Sequence, residues 1–195
     1  IFNQTLTSTG RLSSLNPNLQ NIPIRTSNGK LIRKAFTARN QDHVLVSADY
    51  SQIELRVIAS LSNDEDMIKA FNNNEDIHKS TASKVFNIDI ENVTKEQRSH
   101  AKVVNFGIIY GVSAFGLSNQ TDLSRSESKE IIDNYYKSYP KLKEFTSKQI
   151  EFARSNGYVK TLLGRKRYLN DINSRNAIIR SSAERNAINS PVQGT

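Results

Sequence analysis

The sequence has no cysteine and no tryptophan, and only one methionine and four prolines in 195 residues. The lack of cysteine excludes disulfides and thiolate metal sites and fits a reducing compartment. No apolar run approaches the ~18 residues that read as a membrane-spanning helix, and the first residues carry no signal-peptide pattern. Repeats and low-complexity tracts are absent too. Acidic residues are in deficit, 19 against 27 Lys and Arg, giving a formal net charge of +8. That surplus favours polyanionic partners: nucleic acid, nucleotides or an anionic membrane surface. With 24% charged residues and a mean hydropathy of −0.56, the composition is that of a soluble globular protein. Its length suits one domain, or two small ones, with a real core. There is no initiator methionine, and the chain stops at Gln193-Gly194-Thr195 without a tail, so it reads as an internal piece of a longer one.

Residues 1–30 are rich in Ser, Thr, Asn, Gly and Pro and predict extended segments and turns, with a turn at Ser27-Asn28-Gly29. Residues 31–37 and 44–49 read as strands. From Ser51 the periodicity is helical. Thr94-Lys95-Glu96-Gln97 is a capping box opening a helix to about Tyr110, and Ser124-Arg125-Ser126-Glu127 opens another to about Tyr139. Pro140 suits the first turn of a third helix and Gly157 its stop. Tyr158–Leu163 and Lys166–Leu169 predict a basic hairpin around Gly164. A last helix is expected from about Ser174 to Asn189, halted near Pro191.

Three features carry chemistry. In HVLVSADYSQIELR (43–56), Asp49 stands where an apolar run ends. It is either a strand-end turn residue or a ligand for Mg²⁺, which takes hard oxygens, with the Tyr50 carbonyl as a further donor. Ser51-Gln52-Ile53-Glu54 reads as a capping box, with Ser51 at the N-cap and Glu54 reaching back to it. That role does not exclude Glu54 from a site. In RSHAKVVNFGIIYG (98–111), Arg98, Lys102, Phe106 and Tyr110 recur every fourth residue. Each step of four drifts by only ~40°, so they share one slowly winding face. Two cations followed by two aromatics could grip a triphosphate and stack a sugar and base, or be a solvated edge beside a core. Gly107 is read as admitting another backbone and Gly111 as a bend or helix end.

Together these segments resemble the family A DNA polymerases, the bacterial DNA polymerase I type. STGRLSSLNPNLQNIPIRT (8–26), DYSQIELR (49–56), DIHKSTA (76–82), RSHAKVVNFGIIYG (98–111) and AERNAINSPVQGT (183–195) match in the family's order and span essentially the whole chain. The resemblance implies that Asp49 is one of two palm aspartates holding two Mg²⁺ ions, with the Tyr50 carbonyl as a further ligand. It implies that Glu54 crowds the sugar 2′ position, with Gln52 beside the substrate. Arg98, Lys102 and His78 would bind the triphosphate, and Lys102 would donate a proton to pyrophosphate. Phe106 would pack on the sugar and Tyr110 stand beside the nascent base pair. Arg11, Asn18, Asn21, Arg25, Tyr110, Gly111, Arg185, Asn189 and Gln193 would contact primer or template. Minor-groove acceptors common to all base pairs allow such contacts to check shape without reading sequence. The partners implied are primer-template DNA and dNTPs, with no membrane, for a monomer located in the cytoplasm or an organelle.

The fold implied is α+β and mainly helical: a partial palm (1–62), helical fingers (63–188) and the start of a return to the palm (189–195). One departure matters. The family's second palm carboxylate lies in a His-Asp-Glu motif downstream of the Gln-Gly-Thr segment, and no such motif occurs here. The chain alone is therefore expected not to polymerise. Phe106, where tyrosine is the alternative, implies discrimination against dideoxynucleotides. The rival readings are a single-subunit RNA polymerase, a noncatalytic nucleic-acid-binding paralogue and an unrelated nucleotide-binding protein. His43, His100 and the basic residues Lys160, Arg165, Lys166 and Arg167 are read as structural or surface groups.

Overall fold

A computed structural model describes residues 1–24 and 26–195. Arg25, expected at the DNA, lies outside the described residues. The chain forms two compact units, 1–51 and 52–195.

In the first unit a short strand β1 (Phe2–Asn3) pairs antiparallel with β2 (Ser13–Ser14), placing Phe2 opposite Ser14. The Ile1 ammonium extends the pairing by donating to the Leu15 carbonyl at 2.7 Å. Asn18 caps a 3-10 turn, Leu19–Asn21, by accepting from the Gln20 N–H.

Two expectations fail here. The turn at 27–29 and the strand at 31–37 are replaced largely by one helix, α1 (Ser27–Lys34). Thr26 is its N-cap, accepting from Gly29 N–H at 3.1 Å, and Arg33 and Lys34 sit at the negative end of its dipole. Those local terms outweigh the strand-like apolar residues Leu31 and Ile32, which stay exposed. Gly29 is needed for packing, since a Cβ there would lie 2.3 Å from the Pro23 carbonyl oxygen. Residues 44–49 are not a strand either; they have no regular structure, and Val44 and Val46 are 81% and 85% exposed. A strand requires a neighbour to pair its N–H and C=O groups, and none of the described strands pairs with this run.

The second unit is helical: α2 (Ile53–Ser62), α3 (Glu65–Asn72), α4 (Ile77–Phe86), α5 (Lys95–Ile109), α6 (Ala114–Ser118), α7 (Arg125–Ser138), α8 (Pro140–Asn156) and α9 (Ala177–Gln193). Two of the three expected capping boxes form, at Thr94/Gln97 and Ser124/Glu127. Pro140 opens α8, and Gly157, at φ +75°, closes it. The hairpin is present as β3 (Tyr158–Lys160) and β4 (Lys166–Tyr168), shorter than predicted.

Two corrections apply to this unit. The α2 N-cap is Gln52, in the left-handed region and without a side-chain capping bond, rather than Ser51. Helix α9 runs through Pro191 to Gln193 rather than stopping before it. Proline removes one N–H, but the next turn is held by the Gly194 N–H on the Ser190 carbonyl and the Thr195 hydroxyl on the Pro191 carbonyl.

The main core joins Leu55 and Ile58 of α2, Ile77 of α4, Val104 and Ile108 of α5, Tyr135 of α7 and Leu142 of α8. A second, smaller core gathers Ala153, Val159, Leu169, Ile172, Ala183 and Ala187 under the hairpin. Each fully buried Leu or Ile contributes roughly 1.5–3 kcal/mol. Helices α2, α4 and α9 all pack on α5, so the cation- and aromatic-bearing helix is clamped on its inner side.

Candidate nucleotide and nucleic-acid interface

Helix α5 turns Ala101, Val104, Asn105, Ile108 and Ile109 inward. Lys102 is exposed, Arg98 and Phe106 are half-buried, and Tyr110 is the helix C-cap. The four residues at four-residue spacing thus lie off the buried face. None belongs to the fully packed core, although Phe106 leans against it.

Arg98 is held in place. Its Nε donates to Asp76 Oδ2 at 2.7 Å. Asp76 caps α4 by accepting from the N–H groups of His78 and Lys79. Partial burial opposes ionisation of Asp76, but the Arg98 guanidinium and these backbone N–H groups outweigh it and hold the carboxyl below its ordinary range. One carboxylate therefore both starts α4 and aims Arg98.

His78 is only 3% exposed. Its ring lies 5.8 Å from that of Phe106, centroid to centroid. Burial pushes its pKa down to about 4; Asp76 opposes that shift, and the positive charges of Arg98 and Lys102 add to it. His78 is thus a neutral imidazole near pH 7. Its Nδ1 accepts from the Asn105 amide at 3.0 Å.

Asn105 is fully buried, and its Oδ1 accepts from Tyr135 OH at 3.0 Å and from Thr81 Oγ1 at 3.2 Å. Thr81 in turn meets Tyr139 OH at 3.1 Å. The reading of the sequence missed this network, which joins Thr81, Asn105, Tyr135 and Tyr139 to His78. The available signal was Asn105 itself, a polar residue at a core-facing position of an otherwise apolar stripe.

At the other end of α5, Tyr110 OH donates to Glu54 Oε2 at 2.8 Å. The Glu54 carboxylate is thus tied to a tyrosine 56 residues away. Gln52 immediately precedes α2 at φ +51°, a left-handed conformation that costs a non-glycine residue roughly 1–2 kcal/mol. Gly111 follows the end of α5 at φ +65°, where a Cβ would come within 3.3 Å of Arg185 Cα. The close backbone approach expected at Gly107 therefore occurs at Gly111. Gly107 instead faces the Val112 side chain, with 2.7 Å between Val112 Cγ1 and a would-be Cβ.

On α9, Arg185, Asn189 and Gln193 share one face at four-residue spacing. Arg185 donates to Ser181 Oγ at 3.0 Å, and Asn189 Oδ1 is buried with no hydrogen-bond partner among the described residues. In the first unit Arg11 follows the turn at Gly10, with its carbonyl accepting from the Thr7 hydroxyl at 2.5 Å. Asn18 spends its side-chain oxygen on the 3-10 turn, while Asn21 is exposed. Asp49 and Tyr50 are exposed, and Tyr50 is 79% so. Asp49 and the Tyr50 carbonyl are hard oxygen donors, the kind Mg²⁺ selects.

The groups read as structural behave largely so. His100 pairs with Asp122 at 2.7 Å, near Glu96, their ligating atoms all lying within 4.8 Å of one another. His43 Nδ1 contacts Asn40 Oδ1. Lys160, Arg165 and Lys166 are exposed, whereas Arg167 is half-buried and donates to Ser190 Oγ, tying the hairpin to α9. No helix among the described residues is long and apolar enough to cross a membrane.

This arrangement has close relatives. The chain is 55% identical over 194 residues to DNA polymerase I of Caldicellulosiruptor bescii, and 56% identical over 193 residues to that of Streptococcus pneumoniae. These alignments cover 100% and 98% of this chain, but the chain spans only 23% and 22% of those relatives. The POL domain of Pol1 from M. smegmatis, solved in complex with DNA primer-template and dNTP, superposes with a TM-score of 0.88 at 44% identity, covering 99% of this chain and 34% of that one. The description "DNA polymerase family A" matches residues 1–195, from the strand pair of the first unit to the end of α9, and it is to this family that the chain belongs.

Proposed function

We propose that the chain forms part of the palm and the fingers of a DNA-templated DNA polymerase that adds dNTPs to a primer 3′-hydroxyl. The observation that carries this reading is the outer face of α5. There Arg98 is aimed by Asp76, Lys102 is exposed, Phe106 leans on His78, and Tyr110 is tied to Glu54. Family membership and the M. smegmatis relative bound to primer-template and dNTP support it. Residues 1–62 are assigned to the palm, 63–188 to the fingers and 189–195 to the return toward the palm.

Arg98 offers a planar fork to triphosphate oxygens and Lys102 a mobile charge that also protonates departing pyrophosphate. His78, neutral, adds an uncharged contact to the same phosphates. Phe106 packs on the sugar. Glu54, fixed by the Tyr110 hydroxyl, fills the space a ribose 2′-hydroxyl would occupy, while the Tyr110 ring borders the nascent pair. Arg185, Asn189, Gln193 and Gly111 are assigned to contacts with primer or template, and Arg11, Asn18, Asn21 and Arg25 are each assigned the same role. Gln52, held in a strained backbone conformation at the start of α2, is assigned to the substrate side.

Asp49 and the Tyr50 carbonyl would hold Mg²⁺, which in such sites activates the attacking hydroxyl and stabilises the leaving group. Asp49 supplies one carboxylate of the pair this chemistry uses. The 195-residue chain by itself is expected to give no primer extension with Mg²⁺ and dNTPs, and robust incorporation would overturn that expectation while leaving the polymerase reading in place.

In the full-length polymerase carrying this segment, Phe106→Tyr is expected to raise the ratio of dideoxy- to deoxynucleotide incorporation. An unchanged ratio would remove Phe106 from the sugar. Glu54→Ala is expected to raise ribonucleotide use. A strong preference for ribonucleotides in the unmodified enzyme would instead favour a single-subunit RNA polymerase. The enzyme is assigned to the cytoplasm and acts as a monomer on this reading.

A further inference from the structure

The buried network behind α5 is not needed to explain how α4, α5 and α7 pack. Apolar residues would fill that space without desolvating five polar side chains. Its outermost member is His78, and the direction of its hydrogen bonds decides what His78 can offer. The argument begins at Tyr135. Its side chain is 1% exposed, burial pushes its pKa well above the ordinary tyrosine value, and its hydroxyl keeps its proton. That proton needs an acceptor, and Asn105 Oδ1 lies 3.0 Å away. Turning the Asn105 amide over would leave the Tyr135 hydroxyl proton facing N–H protons, an unsatisfied buried donor that costs roughly 1–3 kcal/mol. Tyr135 therefore fixes Asn105 with its oxygen inward and its NH₂ toward His78 Nδ1, at 3.0 Å. An Nδ1 that accepts carries no proton, so the single proton of a neutral imidazole sits on Nε2. Nε2 makes no hydrogen bond among the described residues.

We infer that Tyr135 and Asn105 are positioning residues that lock His78 as the neutral Nε2–H tautomer, so that it presents a hydrogen-bond donor to a phosphate oxygen of the incoming nucleotide. The nucleotide half of this statement rests on the proposed function, whereas the tautomer half does not. The opposite tautomer would turn a bare nitrogen lone pair toward the phosphate and repel it. The charged groups around His78 act together with the lock. Asp76 on its own helix is occupied by Arg98, and Arg98 and Lys102 on α5 disfavour a further positive charge. Tyr135 of α7 and Tyr139, between α7 and α8, present only neutral hydroxyls. His78 is thus a donor that adds no charge beside two cations already committed to the triphosphate.

The test uses the small number of histidines, three in the chain. Ring-¹⁵N-labelled histidine, with signals assigned by substituting His43 and His100, reports the protonation of each nitrogen directly. At pH 7 His78 is expected to be neutral and protonated on Nε2. Asn105→Asp replaces the donor to Nδ1 with an acceptor, and both ring nitrogens are then expected to carry protons. Tyr135→Phe removes one oxygen from an otherwise unchanged side chain and is expected to add a minor Nδ1–H population. A charged or Nδ1–H imidazole in the unsubstituted chain would overturn the lock, as would a His78 spectrum unchanged in both variants.

In the full-length polymerase, His78→Ala is expected to raise the dNTP KM by about tenfold, the worth of one hydrogen bond to a charged group, with kcat changed much less. Tyr135→Phe should act in the same direction but more weakly, and should add nothing in a His78→Ala background. A purely structural role would lower stability equally in both backgrounds. If the NMR result holds but His78→Ala leaves the dNTP KM unchanged, the lock stands and the placement of His78 at the nucleotide falls.

Discussion

Residues 1–51 and 52–195 both carry many large apolar side chains, but they dispose of them differently. In the second unit Leu55, Ile58, Ile77, Val104, Ile108 and Leu142 are essentially inaccessible and form one core. In the first, Phe2, Leu12, Leu15, Leu31, Phe36 and the run Val44–Val46 are exposed, and the only described residues that are buried are Ser14 and Gly29. A helix satisfies its own backbone, so a set of amphipathic helices can assemble from within one stretch of chain. A strand needs a neighbour before it is a strand at all. The first unit is held mainly by local devices: a two-residue ladder, an Asn18 cap, a Thr26 cap and Gly29 against Pro23. Yet on the proposed function the metal-binding carboxylate, Asp49, lies in this sparsely buried unit, and the groups that hold the triphosphate lie in the packed one.

The sharpest way to separate chemistry from stability is therefore at Asp49. In the full-length polymerase, Asp49→Ala is expected to lower kcat on the order of a thousandfold, the several kcal/mol that metal-ion catalysis supplies. Because Asp49 is exposed, the melting temperature of the variant should match that of the parent. Rapid-quench incorporation and a thermal melt measure both. A large fall in stability would mean that Asp49 serves the fold instead.

The contrast in packing can be broken by a matched pair of truncations. Leu142→Ala in the main core is expected to cost about 2–5 kcal/mol in denaturant unfolding. Leu31→Ala, at a side chain 61% exposed, is expected to stay within ~0.5 kcal/mol. Equal losses would show that the first unit has a core of its own.

Acid offers a third probe, confined to the second unit. The folded-state pKa of His78, about 4, lies below its unfolded value near 6.5. Between those values the unfolded chain binds more protons, so stability rises with pH across that window. The contribution is complete above pH ~6.5 and is lost as pH falls toward 4, with a span of at most ~3 kcal/mol. Asp76 acts in the same sense within its own, more acidic range. Its lowered pKa stabilises the fold above its ordinary value, and that stabilisation fades only at still lower pH. Denaturant midpoints of the chain and of His78→Gln between pH 4 and 7 test this, with a flatter profile expected for the variant.

How much of this was legible in the sequence follows the same division. The α5, α7 and α8 boundaries were readable because their signals are local: Thr94 with Gln97, Ser124 with Glu127, and Pro140 with Gly157. The outer face of α5 followed from spacing alone. At Ser51–Glu54 the same capping signal misled. The backbone turns left-handed at Gln52, which takes the N-cap place, and Glu54 accepts from the hydroxyl of Tyr110, 56 residues away. No local pattern encodes that contact. Residues 31–37 misled for the converse reason, because Leu31 and Ile32 look like strand residues until Thr26 is recognised as a cap. Asp76, Asn105 and Tyr135 went unread because each is unremarkable alone. Their meaning lies in distances between three helices.

The smallest expected difference tests whether the two units share one unfolding transition. Thr94 and Thr26 are equivalent caps, each accepting a backbone N–H at 3.1 Å three residues on. Helix α5, behind Thr94, packs on α2, α4 and α9, so losing that cap should be felt by the whole second unit. Thr94→Ala is expected to cost ~1 kcal/mol in the main denaturant transition. Thr26→Ala removes the same bond from a helix whose large apolar residues, Leu31 and Ile32, are exposed. It should leave that transition in place and only speed amide exchange across residues 27–34. If both substitutions shift the main transition by the same ~1 kcal/mol, α1 unfolds with the helical core, and the first unit is as cooperative as the second despite burying so little.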